Sequence, residues 1–268
     1  MLELFALSAA GIAALMLGTW VLSLLLRNAS IVDIIWGLGF VLVAVIGFAF
    51  GDGYGPRKAL ITGMTAAWGL RLSIYLFLRN AGAGEDFRYK RMRAHYGPRF
   101  GLISLFTVFA LQGALMFVVS LPVQVAQAAG PDHLTWLDGA GALVWLAGLL
   151  FESIGDWQLA RFKADAANAG KVMDRGLWAW TRHPNYFGDS LVWWGIFVVA
   201  ASEPTHLWAI VGPIVMTILL VRVSGVALLE KTIVRRRPGY EEYIARTSSF
   251  IPRPPRRTPG ETATTPRH

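Results

Sequence analysis

The sequence predicts an all-α integral membrane protein with seven transmembrane helices, and three observations predict it. Of its 268 residues 54% are apolar and only 16% charged, where an ordinary soluble domain carries roughly a quarter charged residues. The apolar residues come in long blocks of the length that crosses a bilayer as helix. Lys and Arg, finally, collect in alternate connections between those blocks, as they do in the cytoplasmic loops of membrane proteins.

The blocks place the helices in order. The first covers residues 4–26; it has Glu3 before it, no basic leader, and more length than a signal peptide's apolar core, so it is expected to stay uncleaved. The second, 31–50, is entered through Ser30 and stops at Gly51-Asp52-Gly53, a turn sequence. The third covers 59–78. The fourth covers 103–129 and is interrupted by Pro122, which removes a backbone donor and clashes with the preceding turn. The fifth covers 134–158, the short sixth 185–201 and the seventh 207–229. Residues 1–250 form one membrane domain on this reading. Residues 251–268, rich in Pro, Arg and Thr, have little to bury and are expected to be disordered.

Orientation follows from the connections. Residues 79–99 hold six Lys/Arg, 161–182 hold five, and the segment from Lys231 onward holds nine, against none in 130–133 and 202–206. Arg57 and Lys58 alone argue the other way. The rich connections belong on the cytoplasmic side, so the N-terminus is expected outside and the C-terminus inside a membrane, taken as a bacterial inner membrane. The net charge of +8 sits mostly in the C-terminal segment and suits anionic lipid rather than nucleic acid. Absence of Cys excludes disulfides, thiolate metal sites and a Cys nucleophile. No Rossmann glycine pattern, Walker A segment or His-Glu-x-x-His is present, and five scattered His residues give a metal site no support.

The chemistry concentrates in residues 176–195, GLWAWTRHPNYFGDSLVWWG. Proline biases His183 away from helical geometry and starts a helix at Pro184 or Asn185. Asn185 and Asp189 then share one face, with Tyr186 in the first turn. Arg182 and His183 stand at the positive end of the helix dipole, a place for an anionic cofactor group or simply a helix start with a topogenic Arg.

Four further polar groups lie in or beside the spans, where ionisable residues are costly and tend to face a cavity. Asp33 sits just inside the second span, one turn before Trp36; it reads either as a site residue or as part of a capping box with Ser30. Arg71 and Tyr75 are four apart in the third span, and Arg71 is either functional or snorkels to the interface. Glu152, Asp156, Leu159 and Lys163 form a stripe on the fifth span, open to a cofactor role or to charge pairing at a helix end. The loop 79–96, RNAGAGEDFRYKRMRAHY, has Gly82 and Gly84 for close backbone approach; its Glu85, Asp86, Arg88, Tyr89 and Arg91 either grip a polar ligand or are solvated. All four groups fall in the cytoplasmic half.

Residues 176–195, residues 68–89 (WGLRLSIYLFLRNAGAGEDFRY) and residues 239–252 (GYEEYIARTSSFIP) together resemble the steroid 5-alpha-reductase family (3-oxo-5-alpha-steroid 4-dehydrogenase), most closely its bacterial membrane branch. The resemblance covers about residues 30–252. It implies a seven-helix membrane fold and NADPH-dependent reduction of a carbon–carbon double bond conjugated to a ketone, in an apolar substrate such as a 3-oxo-4-ene steroid or another lipid. It implies that Asn185 and Asp189, within the block that also holds Arg182, His183 and Tyr186, bind the cofactor. By looser helix alignment it adds Arg71, Tyr75, Glu152, Asp156, Lys163 and Lys171. Charge alone adds Arg235 and Arg236 for the adenosine-side phosphate. The protein is expected to act as a monomer in membrane lipid, without nucleic acid or metal.

The sequence departs from the family where the substrate ketone is polarised. The vertebrate enzymes use a Gln-Glu pair and a Tyr; here Trp68 stands at the Tyr position and no Gln-Glu pair occurs. Asp33 and Tyr75 take the catalytic role by chemistry instead. The alternative enzyme class is an S-adenosylmethionine-dependent membrane methyltransferase of the isoprenylcysteine or phospholipid type. Such enzymes share the Arg-His-Pro-x-Tyr segment but often carry a Glu-Glu pair where this chain has Glu230-Lys231. A non-enzymatic lipid-binding or scaffold protein is the third reading.

Overall fold

The computed structural model describes residues 1–223 and 237–255. Six helical stretches among them are long and apolar enough to cross a membrane, consistent with a multi-pass membrane protein, and the only strand-like pairing is an isolated bridge between Thr181 and Ser248. Helix α1 spans Leu2–Leu25, α2 Ile31–Phe50 and α3 Gly55–Asn80. Helix α3 starts four residues before the expected span because Pro56 sits in its first turn, where its missing N–H costs nothing. Helix α4, Phe87–Tyr96, forms inside the expected loop, with the Asp86 carboxylate capping the Arg88 N–H at 2.9 Å.

The fourth expected span divides. Helix α5 (Phe100–Ser104), a wider turn over Leu105–Ala110 and α6 (Leu111–Val119) run as one rod. Helix α7 (Leu121–Ala128) then begins afresh around Pro122, and all eight of its residues are buried. A buried helix must satisfy its polar groups internally, and α7 does so in part through its glutamines: Gln127 Nε2 donates to Thr62 Oγ1 at 2.8 Å and Ala44 O at 3.0 Å, and Gln124 Nε2 donates to Ser120 Oγ at 2.9 Å. Helix α8 is Trp136–Ala164, six residues longer at its C-terminal end than the apolar run. A short α9 (Leu177–Trp180) precedes α10 (Pro184–Ala200), which starts at the proline as the sequence indicates. Helix α10 has 17 residues, about 26 Å. The last apolar stretch, Pro204–Val223, contains α11 (Val211–Ile218), and α12 is Tyr240–Arg246. The end of the expected seventh span, Glu230-Lys231, Arg235, Arg236 and residues 256–268 lie outside the described residues.

The chain packs as two units. The first holds Met1–Leu143 and Trp194–Val215. Here α2 and α3 touch backbone to backbone: a Cβ on Gly37 would lie 2.3 Å from Gly69 O, and one on Gly69 2.6 Å from Gly37 O. Trp36, Phe40 and Trp68 form an edge-to-face ladder with centroids 5.2 and 5.6 Å apart. Trp68, at the position where the resemblance puts a catalytic Tyr, is fully buried in it. At the other end of α3, Arg57 is buried. Its guanidinium meets Asp138 through two bonds of 2.7 and 2.9 Å and donates to the carbonyls of Pro131 and His133.

The second unit holds Val144–Trp193 and the described residues from Met216 on. Its centre is the seam between α8 and α10. A Cβ on Gly148 would lie 2.6 Å from Gly188 O, one on Gly188 2.4 Å from Glu152 N, and one on Gly155 3.2 Å from Pro184 Cγ. Gly148 and Gly155 are seven apart, close to two helical turns, so both face α10. The segment after Asp174 is held by α12 and the strand-like residues beyond it: Tyr243 Oη donates to Trp178 O at 2.5 Å, Arg182 N to Ser248 O at 2.8 Å and Arg253 N to Trp180 O at 2.9 Å.

Candidate functional site

The seam of the second unit brings together the polar residues that the sequence set on two different spans. Close glycine contact draws α8 and α10 together, and Glu152, Asp156 and Asp189 are all buried there, at 3, 4 and 7% exposure. Asn185, one turn before Asp189, donates from Nδ2 to Asp156 Oδ1 at 3.1 Å. Its Oδ1 is shielded from solvent and has no hydrogen-bond partner among the described residues. A buried acceptor without a donor is unfavourable by about 1–3 kcal/mol, so Asn185 Oδ1 calls for a donor beyond the described residues. No set of His, Asp and Glu among the described residues is arranged to hold a metal ion. A ligand with N–H and O–H donors, such as a carboxamide or a ribose, suits an amide oxygen flanked by carboxylates.

The remaining residues of the block frame this seam. The His183 ring is buried and lies parallel to Tyr186, centroids 5.5 Å apart. Arg182 is buried, and its Nη1 donates to Thr247 O at 2.5 Å and Ile244 O at 3.3 Å. Those carbonyls end α12, where a cation meets the negative end of the helix dipole, so at least this part of Arg182 clamps the C-terminal segment. Burial pushes the Tyr243 hydroxyl of the same segment well above its ordinary pKa. Lys163 and Lys171 are exposed, away from the buried part of the Glu152–Asp156 stripe; the Lys171 carbonyl accepts from Arg237.

In the first unit Asp33 is tied into a network of side chains. No capping box forms: Ser30 Oγ accepts instead from Asp86 N at 2.6 Å. The Asp33 carboxylate accepts from Tyr89 Oη at 2.8 Å and Arg88 Nη2 at 2.7 Å, and Tyr89 Oη accepts from Gln112 Nε2 at 3.3 Å. The rest of the Gly-Glu-Asp-Phe-Arg-Tyr loop is tied down in the same way. Glu85 accepts from Ala29 N at 2.8 Å and pairs with Arg93 through two bonds of 3.0 and 2.8 Å. Burial acts to raise the Glu85 carboxyl, but the Arg93 and Ala29 bonds outweigh it and hold it below its ordinary pKa. Gly82 and Gly84 serve this loop through positive φ, 76° and 72°, and no atom would crowd a Cβ at either; backbone geometry, not close approach, explains them.

Tyr89 and Arg88 are the partners that sequence reasoning did not assign to Asp33, and Gln112 bonds Tyr89 in turn. The available signal was Asp86 as a helix cap, which puts Arg88 and Tyr89 in the first turn of α4. Arg71 and Tyr75 are brought together in α3: the Arg71 guanidinium lies 5.4 Å from the Tyr75 ring centroid, and that of Arg79 lies 5.7 Å from it. Such stacking holds a guanidinium along the helix face.

Comparison with known proteins adds a family. Residues 19–247 match the family described as "Protein of unknown function (DUF1295)". An uncharacterized protein of the fission yeast Schizosaccharomyces pombe, C594.04c, is 26% identical over 268 aligned residues, covering 87% of this chain and 75% of that protein. No solved structure matches the chain.

Proposed function

The chain belongs to the DUF1295 family, and from that premise we propose that it is an NADPH-dependent reductase acting on the carbon–carbon double bond of an enone in an apolar, steroid-like or lipid substrate. Support comes from the resemblance of the three sequence blocks to the steroid 5-alpha-reductase family. The observation that carries it is the buried pair Asn185–Asp156, with Asn185 Oδ1 unmatched, in a seam that also holds Glu152 and Asp189. Counting α10 as a short span makes seven, with the basic connections on the cytoplasmic side, and the proposal places the seam at that side.

In this reading Asn185, Asp189, Glu152 and Asp156 bind the carboxamide and ribose hydroxyls by accepting their N–H and O–H donors. His183 and Tyr186, stacked on each other, set the wall at the start of α10. When bound, the cofactor supplies the hydride. The residues do the rest: they orient the reacting groups and keep water out. Asp33 is assigned the acid role by its chemistry, and its carboxyl would have to be protonated to supply the proton. Tyr75 is the second candidate for that role. Arg71 is assigned to the cofactor by the resemblance.

The test is a thermal-shift titration of the purified protein with NADPH beside one with S-adenosylmethionine, since only a ligand of the native state stabilises it by mass action. NADPH should stabilise the wild type. Asn185→Ala and Asp189→Ala should fold, with NADPH affinity at least about tenfold weaker, or about 1.4 kcal/mol. The double change should cost less than the sum, because both residues hold one ligand. Unchanged affinity in both single variants would remove the site assignment. A response to S-adenosylmethionine alone would replace the reductase with a methyltransferase.

A further inference from the structure

The face of α8 turned away from the seam carries an open groove of about 360 Å³. Trp157, Arg161 and Phe162 from the last turns of α8 line it, with Asp165, Met173 and Arg175 from the segment that follows. Leading up to it, Leu146, Leu150 and Ile154 are 43, 49 and 42% exposed, and Trp157 is 58% exposed. Spacings of four, four and three place these residues on one face, so an apolar track runs along the helix into the groove. With 29 residues, α8 is about 44 Å long and exceeds the roughly 30 Å hydrocarbon core of a bilayer. With its apolar part in that core, its last turns would extend into the headgroup layer, where Trp and Arg side chains collect.

The charges in the groove are available to a ligand. Neither Arg161 nor Arg175 forms an ion pair among the described residues, and the Arg161 guanidinium lies over the Trp157 ring, 5.5 Å from its centroid. Asp165, the one acid in the lining, is engaged by its own turn: it accepts from Ala167 N at 2.9 Å and Asn168 Nδ2 at 3.3 Å. Arginines lining a groove with an aromatic wall suit a phosphate. The track that continues from them suits an acyl chain, which a water-soluble phosphate lacks, and a zwitterionic lipid would bring its own cation against the two arginines.

We propose that this groove binds the phosphate headgroup of an anionic phospholipid, with an acyl chain laid along Leu146, Leu150 and Ile154. The site is separate from the seam and stands whether or not the reductase reading holds.

The full chain in detergent, titrated with phosphatidylglycerol or phosphatidylcholine and read by native mass spectrometry, tests this. The wild type should retain phosphatidylglycerol preferentially, and Arg161→Gln with Arg175→Gln should reduce that preference about tenfold or more, given about 1 kcal/mol for each cation at an anionic membrane surface. Excess inorganic phosphate, or NADPH, should not displace the lipid. Asp165→Asn, which keeps a capping side chain and removes the acid, should raise the preference, and it carries the test if the double variant fails to fold. An unchanged preference in the double variant, or a preference that does not rise in Asp165→Asn, overturns the proposal. Displacement by inorganic phosphate or NADPH assigns the groove to a free phosphate group and also overturns it.

Discussion

Arg57 shows how a single residue's meaning depends on what surrounds it. By position it is a basic residue in a poorly basic connection and weakens the orientation argument. In the fold it is 1% exposed and bonded twice to Asp138, so it has a structural role of its own. Removing one partner of a buried ion pair strands the other charge, at about 3–5 kcal/mol, whereas replacing both with apolar residues of similar size is often neutral. Arg57→Ala should therefore lower the melting temperature sharply, and Arg57→Met with Asp138→Leu should restore most of it. The check is thermal unfolding of the three proteins in one detergent; equal losses in the single and double variants would show that the pair is incidental. Asp33 follows the same logic. Its cost in an apolar span was legible, but its partners, 55 and 56 residues further on, were not.

At the scale of elements, helix contacts rest on glycines at particular registers. Gly148 sits with the α10 backbone inside 3 Å of where a Cβ would be, while Gly139 in the same helix has nothing within 4 Å. Gly148→Ala must push two backbones apart, and overpacking of this kind costs about 1–3 kcal/mol. Gly139→Ala adds helix propensity, worth up to about 1 kcal/mol. The first should destabilise and also weaken NADPH binding, because it shifts Asn185 relative to Asp156; the second should be neutral or stabilising. Melting temperatures with and without NADPH decide this, and equal effects of the two substitutions would contradict the packing account. The apolar periodicity located α8 and α10 but not their partnership. Gly148, Gly155 and Gly188 were visible as letters, yet only a partner helix gives a missing Cβ its value.

For the whole molecule the prediction is topology. Apart from Arg57 and Lys58, the Lys/Arg distribution points one way. Reporter fusions after Arg93 and after Arg246 should both report the cytoplasm, and one after Asp132 the opposite side. A cytoplasmic signal at Asp132 would break the orientation and, with it, the placement of the seam. The described residues hold six helices of spanning length, and the pair of outcomes at Asp132 and Arg246 also tests whether the 17-residue α10 crosses the membrane as a seventh.

The sequence by itself determined the helical membrane class and the order of the long apolar helices. Long apolar blocks in a chain with few charges can only be buried in lipid as helices, because every backbone polar group must be bonded within its own segment. It also determined the start of α10, since Pro184 acts through its own ring and its immediate neighbour. The tertiary structure alone decided that Ser30 bonds Asp86 rather than capping α2, that residues 121–128 form a separate buried helix, and that Asp156 meets Asn185 while Arg182 is anchored to the carbonyls of Ile244 and Thr247. These are contacts between residues far apart in the chain, chosen by which donors and acceptors the packed helices leave within hydrogen-bonding distance of each other, and local patterning has no term for that distance.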